Sequence, residues 1–401
     1  MSTVSTCTLE HLATPEGIAN PFPIFHQLRK HSPVQYLLDK PNTIAGRRDP
    51  IWAWALLKFD DVYQAIRDHT TFSSGRPPSS EKAVPKLVLI QDDPPHHTHF
   101  RRIVHKTFNH QGIKSLEPWI TRGAHELLDQ IDSEELDIIA AFATPLPVTV
   151  IAHILGIPSD QYHNFKRWSD AFLAFTSMPG AERIRSNHEM MAYFGRMVAT
   201  RRKQGAADLL TKLVEAEIEG EKLQDWEILS FCVLLLIAGN ETTTHLIGNM
   251  LGVLLDRPDL WQQLRDKRDL IEPFIEETLR YESPIQRVPR HTTRAIEISG
   301  VTIPEGAAVS IYYGAANRDP AMFPEPDEFR LDRDPKPHLA LGSGIHHCLG
   351  AALARAEARI MLNAFLDRFP AIRRGSAPAI RQQASPVVFG YQQLPLVLKT
   401  M

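Results

Sequence analysis

Residues 341–350 read LGSGIHHCLG and hold one cysteine, Cys348, among three glycines and two histidines. Glycine adopts backbone conformations that other residues avoid, so the stretch is predicted to be a shaped turn. The next segment, 349–369, has a helical pattern, which places Cys348 at or just before a helix N-terminus. Unpaired N–H groups and the helix dipole stabilise a thiolate there. A thiolate is a metal ligand or a nucleophile; the alternative is a buried, inert cysteine.

Two metal sites are compatible with this turn. A haem needs only one cysteine as its axial ligand. A zinc site normally needs a second ligand at a fixed short spacing, and two ligands from one strained turn are uncommon. The side chains available for zinc, besides Cys348, are His346, His347, His96, His97 and His99.

Two further patterns carry acidic groups. In ETLR, residues 277–280, Glu277 and Arg280 share a helix face and can pair, although such pairs are usually solvated. AGNETTT, residues 238–244, interrupts a helix predicted over 225–256, about 48 Å long at 1.5 Å per residue. A buried Glu241 is costly without a partner. The segment is therefore either a kink or surface turn, or a helix opened locally so that something can lie against Ala238 and Gly239.

These residues belong to a chain with the composition of a soluble globular protein. It has 401 residues, a net charge of −3 and 43% hydrophobic residues. This length suffices for a large core that encloses a cofactor. The chain has no excess of basic residues that would indicate nucleic-acid binding. The N-terminus lacks a signal-peptide pattern, and the best apolar run, 231–239, is shorter than the ~20 residues that span a bilayer. The few, widely separated cysteines favour a reducing cytoplasm.

The elements that position the motifs are predicted to be mainly α-helical with a minor β region. We expect one domain over residues 1–401, with residues 1–20 as a flexible N-terminal segment. The predicted order is a helix at 23–31, strands at 33–37 and 51–57, helices from 60 to about 290 around a loop at 73–85, strands between 295 and 313, an irregular stretch at 318–340, and a last helix to Phe369.

Taken together, the motifs resemble those of soluble bacterial cytochromes P450. They occur in the family's order from about residue 20 to the end, and the cysteine loop is the most specific of them. In chain order they are DPPHHTHFRR (93–102), AGNETT (238–243), ETLR (277–280), PDEFRLDR (326–333) and LGSGIHHCLG (341–350). The loop departs from the family pattern F-G-x-G-x-H-x-C-x-G at Leu341, where phenylalanine is usual.

The resemblance implies a cytochrome P450 fold, with haem b buried between the long central helix and the helix after the cysteine loop. Cys348 is then the axial ligand of the haem iron, and Glu241 and Thr242 are the acid and alcohol that deliver protons. Positions implied to bind the cofactor are His97, Arg101, Arg290, His346, Gly342 and Gly350, with Ala238 and Gly239 leaving room over the haem. A structural network behind the loop is implied for Glu277, Arg280 and Arg333.

The substrate pocket of such an enzyme is expected to be apolar. Family positions near the pocket are Val84, Leu87, Val88, Phe172, Phe175, Leu236, Ile237, Ile285, Val288 and Val388. They favour a small lipophilic substrate, such as a terpenoid, steroid, fatty acid or macrocycle. Single apolar residues at helical spacing more often belong to the core than to a pocket.

The resemblance implies a monooxygenase that uses O2 to hydroxylate or epoxidise its substrate. The chain has no flavin or iron–sulfur motif, so electrons from NAD(P)H are expected to arrive through a ferredoxin and a ferredoxin reductase. We expect a cytoplasmic monomer without a membrane anchor. Two alternatives remain: a peroxygenase driven by hydrogen peroxide, and a haem-binding protein without turnover.

Overall fold

The computed structural model describes residues 8–36, 43–44, 47–48, 54–75, 86–173, 179–218, 220–334 and 337–399. The chain forms two compact units, each built from segments that are separate along the sequence. The first unit comprises Met1–Ser79, Glu276–Cys348 and Arg381–Gly390. The second comprises Ser80–Ile275, Leu349–Ile380 and Tyr391–Met401. That the whole chain is one domain stays a prediction.

The first unit contains the mixed sheet. Its helices are α1 (Pro15–Ala19), α2 (Phe22–His31), α3 (Phe59–Arg67) and α13 (Tyr313–Ala316). Its strands are β1 (Val34–Tyr36), β2 (Thr43–Ile44), β3 (Arg47–Arg48), β4 (Trp54–Leu56), β5 (Phe72–Ser73), β9 (Arg287–Thr292), β10 (Ile296–Ile298), β11 (Val301–Ile303) and β12 (Ala308–Tyr312).

The main sheet has the strand order β1-β4-β12-β9-β5. β12 pairs in parallel with β4 and antiparallel with β9, so it is a central strand. Because a central strand between two layers is covered on both faces, every residue from Val309 to Tyr312 is buried. Val309 lies opposite Arg290 in the β12–β9 register, and this pairing fixes the position of Arg290.

The described N-terminal residues, 8–20, are packed against the rest of the first unit. Residues 8–20 form a short 3₁₀ helix followed by α1, and Leu9 and Leu12 are buried in a cluster with Phe25 and Tyr312. A segment that buries two leucines against aromatic rings gains hydrophobic free energy by ordering. Residues 8–20 are therefore helical and packed, the flexibility of residues 1–20 stays a prediction, and residues 1–7 lie outside the described ones.

The second unit is mostly helical. Its helices are α4 (His96–Phe108), α5 (His110–Asp129), α6 (Pro145–Leu155), α7 (Tyr162–Leu173), α8 (Gly180–Lys203), α9 (Leu209–Glu215), α10 (Asp225–Asp256), α11 (Pro258–Asp266) and α14 (Ala351–Arg368). Helix α12 (Ile271–Tyr281) starts in this unit and ends in the first. The remaining strands are β6 (Glu135–Asp137), β7 (Glu217–Ile218), β8 (Glu221–Lys222), β13 (Ala371–Arg374), β14 (Ile380–Arg381), β15 (Tyr391–Gln393) and β16 (Pro395–Lys399).

Helix α10 is the central element of the second unit, and its bounds match the prediction. Glu227 caps the N-terminus by accepting a hydrogen bond from the Gln224 backbone at 2.8 Å, and Pro258 follows the end of the helix. The helix packs against α6, α7, α8 and α14. Among the described residues α10 alone is long and apolar enough to cross a membrane, but 72% of its apolar window is buried in the protein, as in a core helix.

One strand and one small sheet differ from the sequence-based expectation. Helical structure was expected to about residue 290, whereas α12 ends at Tyr281 and β9 occupies Arg287–Thr292. The sheet formed by β13, β16 and β6 was not predicted. The segments concerned are partly polar, so their sequences do not indicate strands. They adopt the strand conformation because they pair with segments that are distant in the sequence.

Candidate active site

The cysteine loop is held by its own backbone. The Cys348 amide donates to the Leu341 carbonyl at 2.8 Å, which closes the loop three residues before α14 begins. Gly342 and Gly344 have φ of 67° and 68°, in the left-handed region that favours glycine. A Cβ on Gly344 would also lie 3.2 Å from the Arg67 backbone. By contrast, Gly350 has φ of −84°, so its backbone does not demand glycine.

Two polar side chains of the first unit, Ser74 and Tyr313, lie near this loop. The His346 Nε2 and the Ser74 hydroxyl are 2.9 Å apart. The Tyr313 hydroxyl would lie 3.4 Å from a Cβ on Gly342. Burial raises the pKa of Tyr313, while Arg290 lowers it and Cys348 raises it, so the phenol lies in the field of both groups. Sequence reasoning missed Tyr313, because nothing in the pattern YYGAA distinguishes it from a core aromatic.

In the first unit, Glu277 is the common acceptor of a largely buried network. Arg280 pairs with its carboxylate through two hydrogen bonds, Nε to Oε2 at 2.7 Å and Nη2 to Oε1 at 2.8 Å. Arg333 Nε and the Arg330 amide both reach Oε1, at 3.2 and 3.0 Å. Side-chain exposure is 2% for Arg280 and 6% for Glu277, so this is not a solvated surface pair.

The two arginines also hold the irregular segment that precedes the loop. Arg280 donates to the carbonyls of Asn317, Pro326 and Glu328. Arg333 donates to the carbonyls of Pro324, Glu325 and Glu328. A chain without regular structure has unpaired carbonyls, and the guanidinium groups satisfy them. The residues predicted as a network are thus brought together, and the network organises residues 317–333.

The middle of α10 is partly exposed to solvent, although the residues on both sides of it are buried. From residue 230 to 254 every side chain is buried except those at 237, 238, 239, 241 and 242. Ala238 is exposed, and Glu241 and Thr242 are partly exposed. The helix is continuous here, so the locally opened backbone suggested by the sequence is not observed. Open space therefore adjoins an unbroken helix at the acid and the hydroxyl.

The three consecutive threonines have different environments. The Thr242 hydroxyl donates to the Ala238 carbonyl at 2.6 Å and lies at the open stretch. Thr243 is buried, with 4% of its surface exposed. The Thr244 hydroxyl donates to the Ala143 carbonyl at 3.1 Å, which ties the helix to the preceding segment. Of the three, Thr242 is therefore the one at the exposed stretch, and its role in proton delivery stays a prediction.

Gly239 lies against Ile151 of α6, a neighbour that the sequence did not indicate. It was predicted to leave room over a cofactor, but a Cβ at this position would lie 2.5 Å from Ile151 Cδ1 and 2.7 Å from Ile151 Cγ1. The missing side chain therefore allows α6 to approach α10 closely. Ala238, one position earlier, is the small residue that borders the open space.

Two predicted cofactor positions lie on α4. His97 is buried, with 1% of its surface exposed, and Arg101 follows one turn later and is partly exposed. The preceding residue, His96, contacts two carboxylates: Nε2 lies 2.7 Å from Glu227 Oε1 and Nδ1 lies 3.1 Å from Asp92 Oδ2. His96 thereby connects the start of α4 to the first turn of α10.

Comparison with known proteins decides the family. The family model described as Cytochrome P450 matches residues 148–398. Cytochrome P450 109 of Bacillus spizizenii is 37% identical over 399 residues, covering 97% of this chain and 94% of that protein. The mycinamicin IV hydroxylase/epoxidase of Micromonospora griseorubida is 37% identical, covering 86% and 89%. The testosterone complex of CYP109E1 from Bacillus megaterium superposes with a TM-score of 0.87 at 35% identity, covering 96% and 100%.

The chain belongs to the cytochrome P450 family. It is a haem-thiolate monooxygenase of the bacterial type, and it uses dioxygen. The side chains fit a haem: a thiol in a glycine-framed loop, guanidinium and imidazole donors suited to carboxylates, and an open stretch beside Ala238. Within the described ranges no group of three or more His, Cys, Asp or Glu residues is arranged to hold a metal ion, so the zinc site gains no support.

The predicted substrate positions of this cytochrome P450 fall into three groups. Val84, Phe175 and the side chain of Phe172 lie outside what the structure describes. Leu87, Ile237, Ile285 and Val288 are partly exposed, and Ile285 and Val288 also pack against the core of the first unit, so their role in a pocket stays a prediction. Val88 and Leu236 have no exposed surface and belong to the core, and Val388 is buried and bridges to Ile285. Leu236 lies about 200° around α10 from Ala238, which explains its burial.

The close approach at Gly239 gives a first prediction. We expect Gly239→Ala to destabilise the protein by about 1–3 kcal/mol, because the new methyl group overlaps Ile151 in a packed interface. Combined with Ile151→Ala, the same substitution is expected to cost less than about 0.5 kcal/mol beyond the cost of Ile151→Ala. Urea denaturation of the two single variants and the double variant measures both values.

A matched control is Gly195→Ala on α8, where a Cβ meets nothing within 4 Å. It should stabilise the helix by about 0.5–1 kcal/mol, since alanine is the better helix former. If Gly239→Ala stabilised the protein as much as this control does, the contact with Ile151 would not limit residue 239.

Proposed function

We propose that this cytochrome P450 carries haem b on Cys348 and uses Glu241 and Thr242 to deliver protons. The observation that supports this most is the open stretch of α10, which exposes an acid and a neighbouring hydroxyl in an otherwise buried helix. The overall reaction is RH + O2 + 2 e⁻ + 2 H⁺ → ROH + H2O. It needs two protons per turnover, and a buried site must bring them from solvent through side chains or water.

When bound, thiolate-ligated haem supplies the oxygen chemistry, because thiolate donation favours cleavage of the O–O bond. The protein side chains manage the protons. The Thr242 hydroxyl donates a hydrogen bond to the Ala238 carbonyl, which fixes its orientation. Its oxygen lone pairs are then free to accept a hydrogen bond from a water molecule. The Glu241 side chain is 26% exposed, so its carboxylate can exchange protons with solvent and pass them on.

Replacing Thr242 tests this assignment. We expect Thr242→Ala to bind haem and substrate normally but to lose about 70–95% of its product per NAD(P)H, with the electrons released as hydrogen peroxide. The reason is that the ordered acceptor beside the open stretch is lost. The measurement is product formed, peroxide formed and NAD(P)H consumed in one assay.

The neighbouring hydroxyl provides the control. Thr243 is buried and lies about 100° further around the helix, so Thr243→Ala should stay coupled within about twofold. Uncoupling by Thr243→Ala but not by Thr242→Ala would reverse the register. A parent enzyme that turns over only with added peroxide would favour the peroxygenase, for which the acid–hydroxyl pair has no evident use.

Electrons are proposed to come from NAD(P)H through a ferredoxin reductase and a ferredoxin. The sequence contains no flavin or iron–sulfur motif of its own. Arg102 on α4 is exposed, which suits an acidic partner, and Arg355 and Arg359 on α14 are partly exposed. Arg359 also pairs with Glu117 at 2.6 Å. We propose that the enzyme works as a cytoplasmic monomer.

The substrate is proposed to be a lipophilic molecule with fused or large rings. Solved structures similar to this chain hold testosterone or corticosterone in CYP109E1 and erythromycin B in a P450 EryK mutant. The partly exposed candidates Leu87, Ile237, Ile285 and Val288 are all apolar and suit such molecules. A screen of steroids, terpenoids, fatty acids and macrolides by the Soret shift of the ferric enzyme tests the class; a shift by polar compounds alone would contradict it.

A further inference from the structure

One buried imidazole lies next to the proposed proton donor. His245 is four residues after Glu241 on α10, and its Nε2 lies 3.6 Å from Glu241 Oε1. The His245 side chain is 6% exposed, whereas that of Glu241 is 26% exposed. The pair therefore joins a buried group to one that reaches the open stretch of the helix.

The helical geometry places His245 between the acid and the hydroxyl. With about 100° per residue, Glu241 lies about 60° to one side of Ala238 and Thr242 about 40° to the other, while His245 lies within about 20° of Ala238. Side chains on a helix lean towards its N-terminus, so the imidazole extends over the turn that carries Glu241 and Thr242. Viewed down the helix axis, His245 therefore projects between Glu241 and Thr242, on the same side of the helix as Ala238.

Neither ring nitrogen of His245 has a hydrogen-bond partner among the described residues. A buried polar group without a partner costs about 1–3 kcal/mol, so packing alone does not explain a histidine here. A phenylalanine would fill the same space without that cost. The unsatisfied nitrogens thus indicate a hydrogen-bond partner that the protein side chains do not supply at their present distances. This partner is either a water molecule or the Glu241 carboxylate after a small rotation.

We propose that His245 is a positioning residue for proton delivery. Its Nε2–H, directly or through one water, holds the Glu241 carboxylate in the orientation from which a proton can reach the water at Thr242. The inference rests on the proposed function, since it assigns His245 to the proton path that Glu241 and Thr242 form. It explains why a histidine with two unsatisfied nitrogens occupies a core position at this spacing.

The test compares two replacements of His245. His245→Gln keeps an N–H donor near the position of Nε2, whereas His245→Phe keeps the size and removes both nitrogens. We expect His245→Phe to lower product per NAD(P)H by about five- to tenfold, and His245→Gln to retain more than about half of the parent value. Equal losses in both variants, or none in His245→Phe, would overturn the proposal.

A readout independent of turnover separates positioning from a structural role. His245→Phe removes two unsatisfied buried nitrogens, so its urea midpoint should equal or exceed that of the parent while coupling falls. If His245 were only structural, stability and coupling would fall together.

Double variants tie the effect to Glu241. In a Glu241→Gln background, His245→Phe should change coupling by less than about twofold, because its partner is already removed. Full additivity of the two losses would contradict the proposed link. If Glu241→Gln alone leaves coupling unchanged, the proposed proton path itself fails; if Glu241→Gln uncouples and His245→Phe does not, only the role of His245 fails.

Discussion

Replacing Cys348 with serine is expected to abolish the red-shifted Soret band of the reduced carbon-monoxide complex. That band requires a thiolate on the haem iron, and a serine hydroxyl is a far weaker donor of electron density. The substitution is nearly isosteric, and the loop is held by the backbone bond from residue 348 to Leu341, which serine can keep. The folded protein should therefore persist while the spectrum changes, and turnover should fall by at least about 100-fold.

Cys232 provides the matched control for this experiment. It is buried in α10, and its burial raises the pKa of its thiol, which disfavours the thiolate form that a haem ligand needs. Cys232→Ser should keep the band, because a serine hydroxyl in a helix can bond to the carbonyl four residues earlier. A surviving band in Cys348→Ser, or its loss in Cys232→Ser, would show that the ligand is assigned to the wrong cysteine.

Glu277→Ala is expected to yield little soluble protein and little bound haem. The carboxylate is the shared acceptor of Arg280, Arg333 and the Arg330 amide, and its removal leaves the buried guanidinium of Arg280 and the partly buried one of Arg333 without this counter-charge. Breaking a buried pair in this way costs about 3–5 kcal/mol, a large part of the 5–15 kcal/mol that stabilises a typical domain. Soluble yield, haem per protein and the urea midpoint measure the effect.

The neighbouring residue on the same helix separates this effect from a general loss of acid. The Glu276 side chain is 42% exposed and pairs with His338 at 3.2 Å, so Glu276→Ala should cost less than about 1 kcal/mol. Should Glu277→Ala fold, load haem and lose only turnover, the network would be catalytic rather than structural.

Long, regular features were predictable from the sequence. The bounds of α10 agree with the prediction because an apolar periodic run ends at Pro258, and the ordered motifs indicated the family that the comparisons confirm. The contact among Glu277, Arg280 and Arg333 also followed from the family pattern. That Arg280 and Arg333 hold the carbonyls of residues 317–328 could not be predicted, because those carbonyls belong to an irregular segment.

Features that depend on the packing of distant segments were missed. β9 reads RVPRHT, without apolar alternation, and becomes a strand because it pairs with β12 and β5. Leu9 and Leu12 are ordered by aromatic rings from α2 and β12. For His245 the i,i+4 spacing from Glu241 was visible in the sequence, but its meaning depends on burial and on the unsatisfied nitrogens, which only coordinates provide.

The contact between Gly239 and Ile151 constrains how this enzyme can evolve or be engineered. In a library that varies residue 239 alone, with the aim of reshaping the space beside Ala238, any new side chain meets Ile151, so we expect most clones to lose stability rather than gain a new selectivity. Among descendants of this sequence, alanine at 239 should be found together with a smaller residue at 151. Each substitution made alone is expected to lower the stability of the protein. The two positions should therefore be randomised together, and selectivity should be sought at Ala238 and Ile237, which border the open space.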